Sequence, residues 1–189
     1  MGGERSCLRK EAPIIQGRRP SNLDVWIDRT AIVSGNGQNG MRAVAVESKL
    51  LEYFEPKQPE FADAYEQLKP PITEAAWWSA YLEAKQAAPG FLDRAQLVKH
   101  YFGLRQLARR SHVAPDIELL YLFWEPLNWP DVDECVRHRV EVTEFARRVD
   151  ESSIRFRWMT YSQLWQEWSQ VQALADHAKN LRQRYEVPV

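Results

Sequence analysis

The 189-residue sequence has only two cysteines, Cys7 and Cys135, and no paired C-x-x-C. Their scarcity excludes a disulfide framework and a cysteine-type structural zinc site, and a reducing compartment is the simpler setting. No apolar run approaches the roughly 20 residues of a membrane span. The N-terminal stretch holds charges but no apolar segment of the signal-peptide kind, so the expected location is the cytoplasm, with no membrane partner. Charge of one sign is lacking as well: 25 Lys and Arg stand against 26 Asp and Glu, for a formal net charge of -1. That balance, with a pI of about 6.4, excludes a protein that coats nucleic acid through bulk positive charge and leaves open a local basic face. The four histidines, His100, His112, His138 and His177, show no ligand spacing and read as surface or helix-end residues. No serine or cysteine stands in a nucleophile motif.

What is present is globular. Hydrophobic residues make up 44% and charged residues 27% of a chain long enough to bury a proper core. Residues 1–20 lack a sustained period and read as an arm or short leading element, and 21–189 as one domain with order beginning near Leu23. "LDVWIDRTAIV" and "MRAVAVESK" are rich in β-branched residues and flank "SGNGQNG", which predicts two strands joined by a hairpin loop. Helical patterns follow in "KQPEFADAYEQLKPP", in "ITEAAWWSAYLEAKQ" with Thr73 as a cap, and in "FLDRAQLVKHYFGLRQLARR". "DIELLYLFWEP" is a continuous apolar run suited to a central strand covered on both faces. Asp131 in "PDVDE" is the expected N-cap of a helix ending near Arg148; "SIRFRWMT" returns as a strand, and Thr160–Gln163 forms a capping box ahead of a single terminal helix. The order β-β-α-α-α-β-α-β-α predicts an α/β fold with a mixed sheet flanked by helices.

Within the second strand, "AVAVESKLL" (Ala43–Leu51) interrupts its apolar residues with Glu47 and Lys49. Side chains alternate along a strand, so both charges share a face with Ala43 and Ala45, while Val44, Val46 and Ser48 take the other, expected to be the buried one. Such a pair needs a solvated position or a use. An acid early on the first strand, Asp24 in "SNLDVWI", becomes its partner if the hairpin register sets Asp24 opposite Lys49. A slip of one residue sends Asp24 to the other face, and Asp28 is then its nearest substitute.

Asp24, a hairpin, Glu-x-Lys at the end of the second strand, then helix and strand: in order and residue type this resembles the PD-(D/E)xK nuclease superfamily, the restriction-endonuclease-like proteins. The likeness spans roughly Ser21 to Trp168. The Gln96 helix is similar to the Q-x-x-x-Y element of the branch related to phage and repair exonucleases, with His100 at the tyrosine's place, and Leu23 stands where the motif name has proline. The early acid that many members carry on a leading helix has only Glu4 and Glu11 as candidates.

The resemblance implies a Mg²⁺-dependent nuclease, Mn²⁺ being an alternative ion, that hydrolyses the phosphodiester bonds of DNA. Asp24, Glu47 and the backbone carbonyl of Ser48 would hold the metal, which takes hard oxygen ligands and keeps several waters. Catalytic roles fall to Asp24, Glu47 and Lys49, whose ammonium orients the nucleophile or takes part in proton transfer. Gln96 would position the phosphate. A different class of reading keeps the fold with a degraded site, as a module binding nucleic acid or a protein partner. The plain reading of Glu47 and Lys49 is a surface ion pair at a solvated strand end. Most of the eight tryptophans are expected in the core, and Arg105, Arg109, Arg110, Arg137, Arg139, Arg147, Arg148, Arg155 and Arg157 as a basic lining for DNA.

Overall fold

A computed structural model of the chain describes residues 11–12, 21–33, 39–63, 65, 74–110, 116–150 and 152–189. Among them, β1 (Glu11–Ala12) pairs antiparallel with β2 (Ser21–Asn22), so order starts before Leu23, and this small ribbon packs on the second helix. The main sheet follows with β3 (Val25–Val33) and β4 (Asn39–Lys49), the expected pair of strands. Most of the predicted hairpin loop, Ser34–Gln38, lies outside the described residues.

After a 3-10 turn at Glu52–Phe54, no α-helix forms in residues 57–63, contrary to the expectation for "KQPEFADAYEQLKPP"; Lys57 instead bridges to Gly90. Pro56 and Pro59 each remove a backbone donor there and bias the preceding residue toward extended geometry. The helices α1 (Ala75–Gln86) and α2 (Arg94–Arg110) come next, and the Thr73 cap lies outside the described residues. Asp93 caps α2 by accepting from the Gln96 amide at 2.9 Å.

The strand β5 (Asp116–Phe123) is hydrogen-bonded on both sides, to β4 and β6, as its apolar run predicts. Helix α3 (Asp133–Arg148) ends where expected but begins differently. Trp129–Asp131 forms a 3-10 turn, so Asp131 is not the cap; Val132 holds that position with no side-chain bond. β6 (Ile154–Thr160) leads through the expected capping box, Thr160 with Gln163, into α4 (Tyr161–Ser169). The terminal helix is two, because the chain turns at 170–174 before α5 (Ala175–Tyr185).

The sheet order is β3-β4-β5-β6, antiparallel at the first pair and parallel at the other two. The crossovers β4-α1-α2-β5 and β5-α3-β6 step the same way across the sheet, which places their helices on one face. There Trp77, Leu97, Tyr101, Leu104, Val142 and Phe145 pack on Ala43, Ala45, Leu119 and Tyr121 to form the main core. α4 covers part of the opposite face through Tyr161 and Leu164 against Val46, Leu122 and Met159. The restriction-endonuclease-like α/β architecture is thus a mixed four-stranded sheet between helices. Trp26, Trp77, Trp124 and Trp165 are buried, in line with the core reading of the tryptophans.

Candidate active site

The face of β4 that carries Glu47 is the more deeply buried one, contrary to the expectation for Val44, while Val46 on the other face is buried as expected. Ala43 and Ala45 are almost fully covered, whereas Val44 is half-buried. The reason is topological: three helices stack on the alanine face and α4 reaches only part of the other. Glu47 is consequently 1% exposed and Lys49 16% exposed at the side chain, which overturns the solvated strand-end reading.

Glu47 holds two cationic or donor groups. Lys49 Nζ lies 2.7 Å from Oε1 as an ion pair, and His100 Nε2 lies 2.8 Å from Oε2. A carboxylate only accepts, so His100 donates. Burial opposes ionisation of Glu47, but the His100 hydrogen bond and charge, together with Lys49, outweigh it and hold the carboxyl below its ordinary value. Oε1 meets Lys49 and no other group among the described residues, through both charge and hydrogen bonding of the ammonium.

His100 is the residue that sequence reasoning missed. It sits mid-way along α2, 2% exposed, and His138 is fully buried in α3; neither is a surface or helix-end residue. The available signal was spacing: Gln96 and His100 are four apart and share a helix face, and the charged strand beneath needed a polar partner. His112 lies outside the described residues.

Asp24 is exposed, at a bend just ahead of β3. Its amide donates to the Val46 carbonyl at 3.1 Å and its Oδ2 accepts from the Ser48 amide at 2.8 Å. The register is Val25 with Val46, so Asp24 stands at the level of Glu47 and Ser48 and not opposite Lys49. The difference is two residues, which preserves strand parity. Ser48 points its hydroxyl to the opposite face, 2.7 Å from the Tyr161 hydroxyl, so only its main chain adjoins Asp24. The side chain of Asp28 lies outside the described residues. Gln96 is half-buried in the first turn of α2, and its amide is taken by the Asp93 cap.

Beside Lys49, a small cavity is lined by Glu52, Tyr53, Lys57, Phe91, Asp93 and Tyr121. Tyr121 stands opposite Glu47 in the β4–β5 ladder. Burial, then the charges of Glu47, Asp93, Glu52 and Glu141, push its hydroxyl well above its ordinary value, so it stays protonated. Its hydroxyl lies 2.9 Å from His138 Nε2, and the His138 ring stacks on Tyr53 at 4.0 Å. Burial, then Arg139, push His138 down to about 3, which keeps the imidazole neutral. A larger groove between β6 and α4, lined by Arg157, Met159, Gln163 and Glu186, lacks this chemistry.

The arrangement occupies the carboxyl end of β4, the usual end for ligands where parallel strands stop. The model of a family described as restriction endonuclease associating with ARP matches residues 3–186. The chain belongs to that family. No curated protein and no solved structure matches it. Membership in a restriction-endonuclease family agrees with the architecture and gives the chain a nuclease-like class.

One further expectation changes. The arginines read as a DNA lining are largely engaged: Arg105 with Glu74, Arg137 with Asp133, Arg139 with Glu125, Arg148 with Glu83, Arg155 with Asp116 and Arg157 with Glu118. Several of these pairs tie elements together and do not form an open basic strip. Among the described residues no three His, Cys, Asp or Glu side chains gather as a metal-ligand group, and no helix is long and apolar enough to cross a membrane.

Proposed function

We propose that the chain is a Mg²⁺-dependent nuclease that hydrolyses phosphodiester bonds of DNA, with Mn²⁺ as a possible substitute ion. The observation that carries this reading is Glu47: a buried carboxylate at the end of β4, kept anionic between His100 and Lys49, with Asp24 on the adjoining Ser48 amide. Maintaining an anion in a core is unfavourable without such partners, and the cost is tolerable where the charge has a use.

The donor set suits a hard divalent cation. Glu47 Oε1 is buried and meets only the Lys49 ammonium among the described residues, and Asp24 spends Oδ2 on an amide. Asp24, Glu47 and the Ser48 carbonyl would hold the ion, all through oxygen. When bound, it supplies an activated water and charge neutralisation at phosphorus. Lys49 then orients the nucleophile and offsets the phosphate charge, His100 fixes Glu47, and Gln96 positions the phosphate.

The test incubates the purified chain with linear duplex and single-stranded DNA plus Mg²⁺ or Mn²⁺, beside Lys49→Ala. Cleavage by the wild type and not by the variant supports the nuclease. Salt-dependent DNA binding, equal in both proteins and without cleavage, supports the non-catalytic module instead.

A further inference from the structure

We propose that Lys49 and the divalent cation exchange on Glu47 Oε1, so that the lysine is an internal stand-in for the metal and leaves that oxygen when the metal arrives. The inference rests on the reading of Asp24 and Glu47 as the cation site and adds to it a competition built into the chain.

Three observations carry it. The two oxygens of Glu47 have different holders: Oε2 takes a hydrogen bond from the sealed His100 ring at 2.8 Å, whereas Oε1 meets the ammonium of the partly exposed Lys49 at 2.7 Å. The holders also differ in freedom. His100 is locked in the core with no side-chain exposure, while Lys49 keeps 16% and is lined up with the cavity formed by Glu52, Lys57 and Asp93. A buried carboxylate oxygen left without a cation is costly, so some positive group must cover Oε1 in the metal-free protein. The ammonium is a compact point charge on a flexible stem, which suits it to this part better than a rigid fork.

The division of labour follows. His100 holds Oε2 whether or not metal is present and is a positioning residue. Lys49 covers Oε1 without metal and, released by it, swings into the cavity side, where Glu52 can take up its charge and where a phosphate would meet it. One residue therefore serves the empty and the loaded site in turn.

The experiment is calorimetric titration of the full chain with Mg²⁺ and with Mn²⁺, without DNA, on wild type, Lys49→Met, Lys49→Arg and Glu47→Gln, each checked for folding by circular dichroism. Exchange predicts that Lys49→Met binds the ion about tenfold more tightly than wild type, since no internal cation has to leave. Lys49→Arg, which keeps a cation in reach of Oε1, stays near the wild-type affinity, and Glu47→Gln loses binding. Equal affinities of wild type and Lys49→Met, with Glu47→Gln still losing binding, overturn the exchange and leave the cation site standing. Failure of every variant to bind, or binding retained in Glu47→Gln, overturns both.

Discussion

His100 of α2 donates to Glu47 of β4 across 2.8 Å, with both side chains essentially sealed from solvent. The bond couples the helix that follows the hairpin to the charged end of the strand. Replacing His100 by alanine removes that donor and leaves a buried carboxylate oxygen uncompensated. The expected outcome is a loss of about 1–3 kcal/mol in folding stability, read by urea unfolding, with cleavage or cation affinity down about 10- to 100-fold. Gln, which retains an N–H donor, is expected to recover part of both. An unchanged cation affinity in His100→Ala would show that the histidine is a core residue and nothing more.

Lys49 keeps 16% side-chain exposure, so its variants open no core cavity, but they remove the cation that covers the buried Glu47 Oε1. Lys49→Ala is expected to lower DNA cleavage by at least about 100-fold and, by uncovering the buried Glu47 Oε1, to lower the metal-free melting temperature, while DNA binding at fixed salt changes little. Single-turnover cleavage together with a binding isotherm separates the two effects.

The buried pair of Tyr121 and His138 gives a pH prediction with a definite sign. His138 is depressed to about 3 from an ordinary 6.5, so between those values the unfolded chain takes up a proton that the folded chain does not. Stability therefore falls as the pH drops from about 6.5 toward 3, with this residue contributing a slope near 1.4 kcal/mol per pH unit. His138→Phe keeps a ring against Tyr53 and abolishes that contribution, even though losing the Tyr121 partner lowers stability at every pH. Denaturant midpoints measured at several pH values for both proteins give the slopes, and parallel curves would refute the assignment.

Glu141 of α3 accepts from the Phe91 and Leu92 amides at 3.3 and 3.0 Å, and so fixes the approach to α2. Gly90 sits against the same carboxylate: a Cβ added there would lie 2.6 Å from Glu141 Oε2. Gly90→Ala is expected to push that side chain off its amides and cost about 1 kcal/mol. Glu141→Ala loses the same bonds, so the double variant should be no worse than the poorer single one, a non-additivity that thermal melts of all three resolve.

Much of the fold was readable because it follows from local patterns. β5 announced itself as an uninterrupted apolar run, and its two neighbours in the sheet are what such a run requires. Thr160 and Gln163 formed their box as spaced, since a capping box is a matter of four consecutive residues. Asp131 failed as a cap because Pro130 and the preceding turn claimed it for a 3-10 segment, a competition between two local options of similar cost. The break at 170–174 in the terminal helix follows from packing, with Trp165 and Ala178 meeting over Trp124, a contact that one straight helix over that length does not make.

By itself the sequence determined the identities and the order of the chemistry: an acid at Asp24, an acid and a base two residues apart at Glu47 and Lys49, and a polar helix after them, in the frame of a restriction-endonuclease-like protein. These depend on residue type and short-range alternation, which the chain states outright. Which strand face is sealed was a decision of the tertiary structure alone, because it depends on where the crossover helices land. That placement sealed Glu47 with Ala43 and Ala45 while leaving Val44 half-buried, took His100 from an assumed surface site to the carboxylate, and engaged most of the arginines in ion pairs between elements. Burial is a sum over contacts distant in sequence, and only the folded chain performs that sum.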